Sequence, residues 1–206
     1  GATLDWTFRF GAEIRKDATL IVLGVDERGP GGLIPPTTVI DGDPGAILSG
    51  LLRALGPGSA PATPSDHWRA ELAAARAERA RSGEDLESDA RVPMSEHRLI
   101  AEVRRFLPRD AIFVVDGNRI LETVQQRMPS HVPVSRLTPG KNGCMGVGVP
   151  FGIGAKLAHP DRMVVVVTGD FAFGLNAMEM ETAVRLRVPI LVVVSNNDGN
   201  GGGRSE

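Results

Sequence analysis

Five short apolar runs, rich in β-branched residues and each closed by polar or turn-forming positions, set the framework of this 206-residue chain. They cover residues 18–26, 37–40, 112–118, 163–167 and 188–194, and runs of this length and composition read as buried strands. Helical spacing replaces them at three places. Residues 44–55 form one helix, residues 67 to about 80 a second, anchored by Trp68 and Leu72, and residues 175–187 a third, carried by Leu175, Met178, Thr182 and Leu186. Glycine and proline punctuate the first part of the chain at 29–36 and again at 56–63, which reads as a linker. Residues 1–57 hold too few strands to build a sheet with both faces covered.

The candidate chemistry lies at two strand ends. Gly169-Asp170 follows the run at 163–167, and Asn197, 27 positions after Asp170, follows the run at 188–194. The segment between them, from Phe171 to Arg187, reads as a turn plus helix, so the two strands should be parallel neighbours that bring Asp170 and Asn197 together. Ligands of open α/β sheets bind beyond the carboxyl ends of the strands. A carboxylate and an amide oxygen are hard donors that suit Mg²⁺ better than zinc. Free backbone N–H groups at the start of the intervening helix favour an anion.

Residues 169–198, GDFAFGLNAMEMETAVRLRVPILVVVSNND, resemble the signature of thiamine-diphosphate-dependent enzymes, which opens with Gly-Asp-Gly or a variant and closes with Asn-Asn. The resemblance implies that Asp170, Asn197 and the main-chain carbonyl of Gly199 bind Mg²⁺, and that the ion holds the cofactor's diphosphate. Gly169, Phe171 and Ala172 would line the same site, with Phe171 standing where glycine is commonest. A second match covers residues 140–158. It makes Met145 the bulky wedge that bends the cofactor, with Gly143, Cys144 and Gly146 as its neighbours. A third, at residues 112–118, makes Asp116, Gly117 and Asn118 diphosphate contacts. Plainer roles stay open: Met145 could fill a core gap, and Asp-Gly suits an ordinary turn.

Ala172-Phe-Gly174 and Met178-Glu-Met-Glu-Thr182 resemble the branch of 2-hydroxyacyl-CoA lyases and oxalyl-CoA decarboxylases, whose pattern reads Gly-Asp-Ser-Ala-Phe-Gly-Phe-Ser-Gly-Met-Glu-Val-Glu-Thr. Pro93-Met94 and Leu107-Pro-Arg-Asp110 add to it, whereas Asp198 and Asn200-Gly-Gly-Gly203 depart from it. The implied fold is α/β: residues 93–206 as a parallel-sheet diphosphate-binding domain truncated at its C-terminal end, residues 58–92 as a linker with a helix, and residues 1–57 as half of a Rossmann-like central domain. In that domain Arg9 and Asp26 are candidates for the nucleotide end of CoA. The implied activity is Mg²⁺-dependent lysis or formation of the 2-hydroxyacyl-CoA carbon–carbon bond, with formyl-CoA and an aldehyde or ketone as products. Alternatives are oxalyl-CoA decarboxylase, an acetolactate synthase-like enzyme, or a non-catalytic cofactor-binding subunit. The activating glutamate is expected on an amino-terminal domain of a partner subunit, which implies a homodimer or homotetramer and no turnover by these 206 residues alone.

Bulk properties narrow this picture only slightly. The formal charge of −2 argues against nucleic acid as a main partner, and no apolar run approaches the roughly 20 residues that span a bilayer. A single cysteine, Cys144, excludes an internal disulfide; it fits a cytoplasmic setting and reads as a small buried residue.

Overall fold

A computed structural model describes residues 4–24, 31, 33–56 and 65–199, and divides the chain into two compact units, residues 1–68 and 69–206. The boundary falls inside a helix that the sequence places in the linker.

In the first unit, β1 (Ile21–Gly24) pairs in parallel with β2 (Thr38–Asp41), register Val22↔Val39, and α1 (Pro44–Leu55) follows. Asp43 caps α1, its side chain accepting from the Ala46 N–H at 2.8 Å. Pro44 occupies the first helical turn, where a missing N–H costs nothing. The strand expected over residues 18–26 is confined, among the described residues, to four. None of the residues of α1 is buried. Within this unit Arg9 lies in a short 3₁₀ segment, Trp6–Gly11, with an exposed side chain paired to Glu13. Asp26 lies outside the described residues.

The helix α2 (Asp66–Ser88) is longer than its sequence pattern suggests. It continues because residues 83–88 acquire a tertiary partner in the second unit. Glu87 is buried, and its carboxylate takes Arg104 Nη2 at 2.7 Å and Arg127 Nε at 2.6 Å. These two arginines come from α3 (Glu96–Phe106) and the end of α4 (Arg119–Arg127).

The sheet of the second unit has strand order β4-β3-β5-β6, all parallel: β4 (Arg136–Leu137), β3 (Ile112–Asp116), β5 (Val164–Gly169) and β6 (Leu191–Ser195). Alternation along the strands separates two cores. Phe113, Val115, Val165 and Val167 face Ile100, Val103, Ile120 and Val124 of α3 and α4. Ile112, Val114, Val164 and Val166 face Ala155 of α5 (Gly148–Ala158). A third cluster packs Val149 and Ile153 of α5 against Ala183 of α7 (Glu179–Arg185) and Val188. Strands covered on both faces explain the unbroken valine runs. The α/β parallel-sheet expectation holds for this unit.

Three local expectations change. The helix expected at 175–187 is two, α6 (Asp170–Asn176) and α7, interrupted at Ala177-Met178. What was read as a turn after Asp170 is already α6. The last strand begins at Leu191 and lies at the sheet edge, so Leu191 and Val194 remain partly exposed instead of buried.

Gly152 lies where α5 crosses β5. A Cβ there would stand 2.5 Å from Val166 Cγ2, and Val166 is fully buried and stiff about its first side-chain torsion. Gly152→Ala is expected to destabilise the fold by about 1–3 kcal/mol, read from the urea midpoint of the intact protein. The Glu87 cluster gives a pH dependence. Hydrogen bonding from Arg104 is the largest cause holding the Glu87 carboxyl below its ordinary range, with Arg127 adding to it against the opposing effect of burial. A depressed folded-state pKa means stability that is present above the unfolded value of about 4.3 and lost as pH falls through the folded value. Thermal midpoints should fall from pH 6 towards pH 3 more steeply in the wild type than in Glu87→Gln.

Candidate cofactor and metal site

The register Gly169↔Ser195 sets the site. It places Asp170 one residue past the end of β5 and Asn197 two residues past the end of β6. One atom of the Asn197 side-chain amide lies 3.0 Å from Asp170 Oδ1 and 3.0 Å from the carbonyl oxygen of Gly199. The Gly199 N–H donates to the other carboxylate oxygen of Asp170 at 2.8 Å. Gly199 reaches this position through a turn in which Asp198 has φ 62° and Gly199 φ 130°, conformations that favour asparagine, aspartate and glycine. The structure thus brings together all three groups that the sequence pairs with a metal.

The cluster has two chemical states. With nitrogen at the shared amide position, Asn197 donates to Asp170 and to Gly199. With oxygen there, three oxygens converge and repel unless a cation lies among them. A carboxylate, an amide oxygen and a main-chain carbonyl are the hard oxygen donors that Mg²⁺ takes. One carboxylate and two neutral oxygens leave a bound divalent ion with positive charge for an anionic ligand. The residues present therefore fit Mg²⁺ carrying a phosphate group.

Beside the cluster is a crevice of about 90 Å³ lined by Gly117, Asn118, Met145, Gly169, Phe171 and Ala172. These are six of the residues singled out from sequence. Gly117, with φ 107°, closes it from β3; a Cβ there would approach the backbone nitrogen of Gly169 at 3.2 Å, so the β3 and β5 ends meet backbone to backbone.

Four of the predicted contacts have different places. Asp116 is buried and faces away from the crevice. Its carboxylate accepts from Gly117 N at 2.7 Å, from Gly148 N at 2.7 Å and from Gly146 N at 3.0 Å. A carboxylate with these lone pairs engaged holds the loop and does not touch an anion itself. Cys144 is exposed, correcting the expectation of burial, because residues 141–144 bulge out where Gly143 takes φ 61°. Neither Cys144 nor Gly143 lines the crevice, and Gly146 is buried behind Met145.

Sequence reasoning also missed Glu96, Arg119, Ile120 and Ser195, which complete the crevice wall. Glu96 belongs to the first turn of α3, and its carboxylate is 3.4 Å from the Thr123 hydroxyl. Arg119 opens α4 directly after Asn118 and lines the crevice. Its place next to Gly117-Asn118 was the available signal. Glu96, Arg119, Ser195 and Asn197 also border a wider cavity of about 940 Å³, whose far wall includes Arg91, Met94 and His97.

A parallel sheet, a cluster of oxygen-bearing groups at adjoining strand tips and a glycine-lined crevice beside it are the features of an α/β ligand-binding domain whose strand tips suit a phosphate group. Residues 117–204 match the family described as thiamine pyrophosphate enzyme, C-terminal TPP binding domain. Among curated proteins, 2-hydroxyacyl-CoA lyase 1 of Mus musculus is 31% identical over 205 residues, 97% of this chain and 35% of that protein. An acetolactate synthase large subunit of Mycobacterium tuberculosis is 34% identical over 203 residues, 96% of this chain and 35% of the relative. The 2-hydroxyacyl-CoA lyase 1 of Dictyostelium discoideum is 46% identical over 90 residues, 44% of this chain and 16% of that protein. The chain spans about a third of the length of the first of these relatives.

Replacing Asp116 by asparagine keeps its shape but turns an amide N–H₂ towards backbone N–H donors. Asp116→Asn is expected to cost about 1–3 kcal/mol of stability by leaving buried donors unsatisfied, measured by denaturant unfolding of the intact protein.

Proposed function

We propose that the intact protein is a thiamine-diphosphate- and Mg²⁺-dependent lyase that cleaves 2-hydroxyacyl-CoA to formyl-CoA and an aldehyde or ketone, or joins them in reverse. The observation that carries this reading is the convergence of Asp170, Asn197 and Gly199 at 3.0 Å spacing on adjoining strand tips, beside a crevice that contains Met145. The lyase relatives and the Ala172-Phe-Gly174 and Met178–Thr182 segments support the CoA branch.

Asp170, Asn197 and the Gly199 carbonyl would hold the metal, and Gly117 with Asn118 would let a diphosphate approach the backbone. Arg119 adds a cation on the side of the crevice shared with the wider cavity. Met145 forms a firm apolar wall against which a bound cofactor is bent. When bound, thiamine diphosphate supplies a stabilised carbanion at its thiazolium carbon. The reaction balances without a redox partner: the bond between the acyl carbon and the hydroxyl-bearing carbon breaks, the hydroxyl gives up its proton as its carbon becomes the carbonyl of the aldehyde or ketone, and the acyl carbon keeps the electron pair and gains a proton to become formyl-CoA. The wider cavity falls in the size range of small-molecule sites of about 300–1,000 Å³, room for the reacting end of an acyl-CoA. Active sites completed by a glutamate from a second subunit belong to the same proposal, as does a homodimer or homotetramer. The 34% identity to an acetolactate synthase subunit favours one alternative, a synthase acting on 2-keto acids.

Product analysis separates these readings. Supplied with Mg²⁺, thiamine diphosphate and a 2-hydroxyacyl-CoA, the full-length protein is expected to release formyl-CoA. Acetolactate from pyruvate, or carbon dioxide from oxalyl-CoA, would replace the proposal with the corresponding alternative. Asp170→Ala is expected to weaken Mg²⁺-dependent thiamine diphosphate binding by roughly 100-fold or more in calorimetry, since loss of a direct ligand exceeds the 10–100-fold cost of losing an outer partner.

A further inference from the structure

The Met145-Gly146 segment is gripped from two directions. On one side, the Gly146 N–H donates to both carboxylate oxygens of Asp116, at 3.2 and 3.0 Å. On the other, the side-chain amide of Asn176 donates to the Gly146 carbonyl at 2.6 Å. Gly146 has φ 92°, and a Cβ on it would stand 3.0 Å from Asn176 Nδ2 and 3.0 Å from Leu175 Cβ, so the fit leaves no room for a side chain. Asn176 is the last residue of α6, the helix whose first residue is Asp170. Neither Asn176 nor Gly146 lines the crevice, whereas Met145 does.

We propose that Asn176 is a positioning residue that fixes Met145 against the cofactor and ties its setting to the metal cluster through α6. The inference rests on the thiamine-diphosphate reading. Asp116 fixes one face of the peptide to β3, and Asn176 fixes the other to α6. Without the amide donor the Gly146 carbonyl loses its partner on the α6 side, and Met145 is free to shift by a fraction of an ångström, enough to spoil a bend that depends on close apposition. The metal ligands and Gly117-Asn118 are untouched by the change, so affinity for the diphosphate end is largely retained.

The test uses the intact protein with Mg²⁺ and thiamine diphosphate. Three variants serve it: Asn176→Ala, Asn176→Asp, which keeps the shape but faces the carbonyl with an acceptor, and Asn176→Ser, which restores a shorter donor. Two readouts are compared, the dissociation constant of the cofactor and the rate of hydrogen–deuterium exchange at its thiazolium carbon. Asn176→Ala and Asn176→Asp are expected to slow that exchange roughly tenfold or more while the dissociation constant moves less than about threefold, with Asn176→Ser intermediate. In the cofactor-free protein, amide exchange of the peptide spanning residues 143–148 should speed up in the first two variants. Thiazolium exchange within twofold of wild type in Asn176→Ala and Asn176→Asp overturns the proposal, as does an equal loss of binding and exchange. Failure of the wild type to bind thiamine diphosphate at all overturns the functional reading instead.

Discussion

The parallel pairing of β5 with β6 is the constraint on which the site depends. Parallel strands require a crossover, and here the crossover is α6 and α7, so Asp170 and Asn197 are far apart in sequence and adjacent in space. Their meeting follows from the register Val167↔Val193 and Gly169↔Ser195. A slip by one residue would turn Val165 and Val167 from α3 and α4 to the opposite face and move the strand tips out of step, so packing of the two valine faces and assembly of the oxygen cluster are specified together.

That cluster also shows how a polar site persists at the sheet edge of a domain. Asp170 is half-buried and receives the Gly199 N–H, so one carboxylate oxygen is satisfied by the backbone while the other faces Asn197. The amide can rotate between donating and accepting with little change of shape, which lets one set of side chains serve both an ion-free and an ion-bound state. A second carboxylate in place of Asn197 would lack this freedom, because two facing carboxylates repel whenever both are ionised.

Much of the second unit was legible in the sequence because its central strands, β3 and β5, are covered on both faces. Valine runs closed by Asp116, Gly169-Asp170 and Asn197 marked β3, β5 and the end of β6, and the strand-end rule located the ligand groups. The break between α6 and α7 was not legible: Leu175, Met178, Thr182 and Leu186 keep helical spacing across it, and periodicity does not register a local turn at Ala177. The role of Asp116 was hidden because Asp-Gly after a strand looks the same whether its carboxylate faces a ligand or supports a loop thirty residues away. Exposure of Cys144 depends on a left-handed Gly143, which composition does not reveal. The length of α2 was missed because Glu87 is held by arginines from α3 and α4, contacts with no local signal.

The same distinction explains why Asn176 matters although nothing in its neighbourhood of sequence marks it. The seven residues of α6 span about 9 Å at 1.5 Å per step, with the Asp170 carboxylate at one end and the Gly146 carbonyl contact at the other. A helix this short is stiff along its axis, and Ala172, buried near its start, fixes it to the crevice wall. Any rotation of α6 that improved the Asp170 geometry would move Asn176 against a peptide already held by Asp116. Displacement at one end therefore carries a penalty at the other, which makes the Asp170 cluster and the Met145 wall a single mechanical unit and the crevice between them a preorganised one.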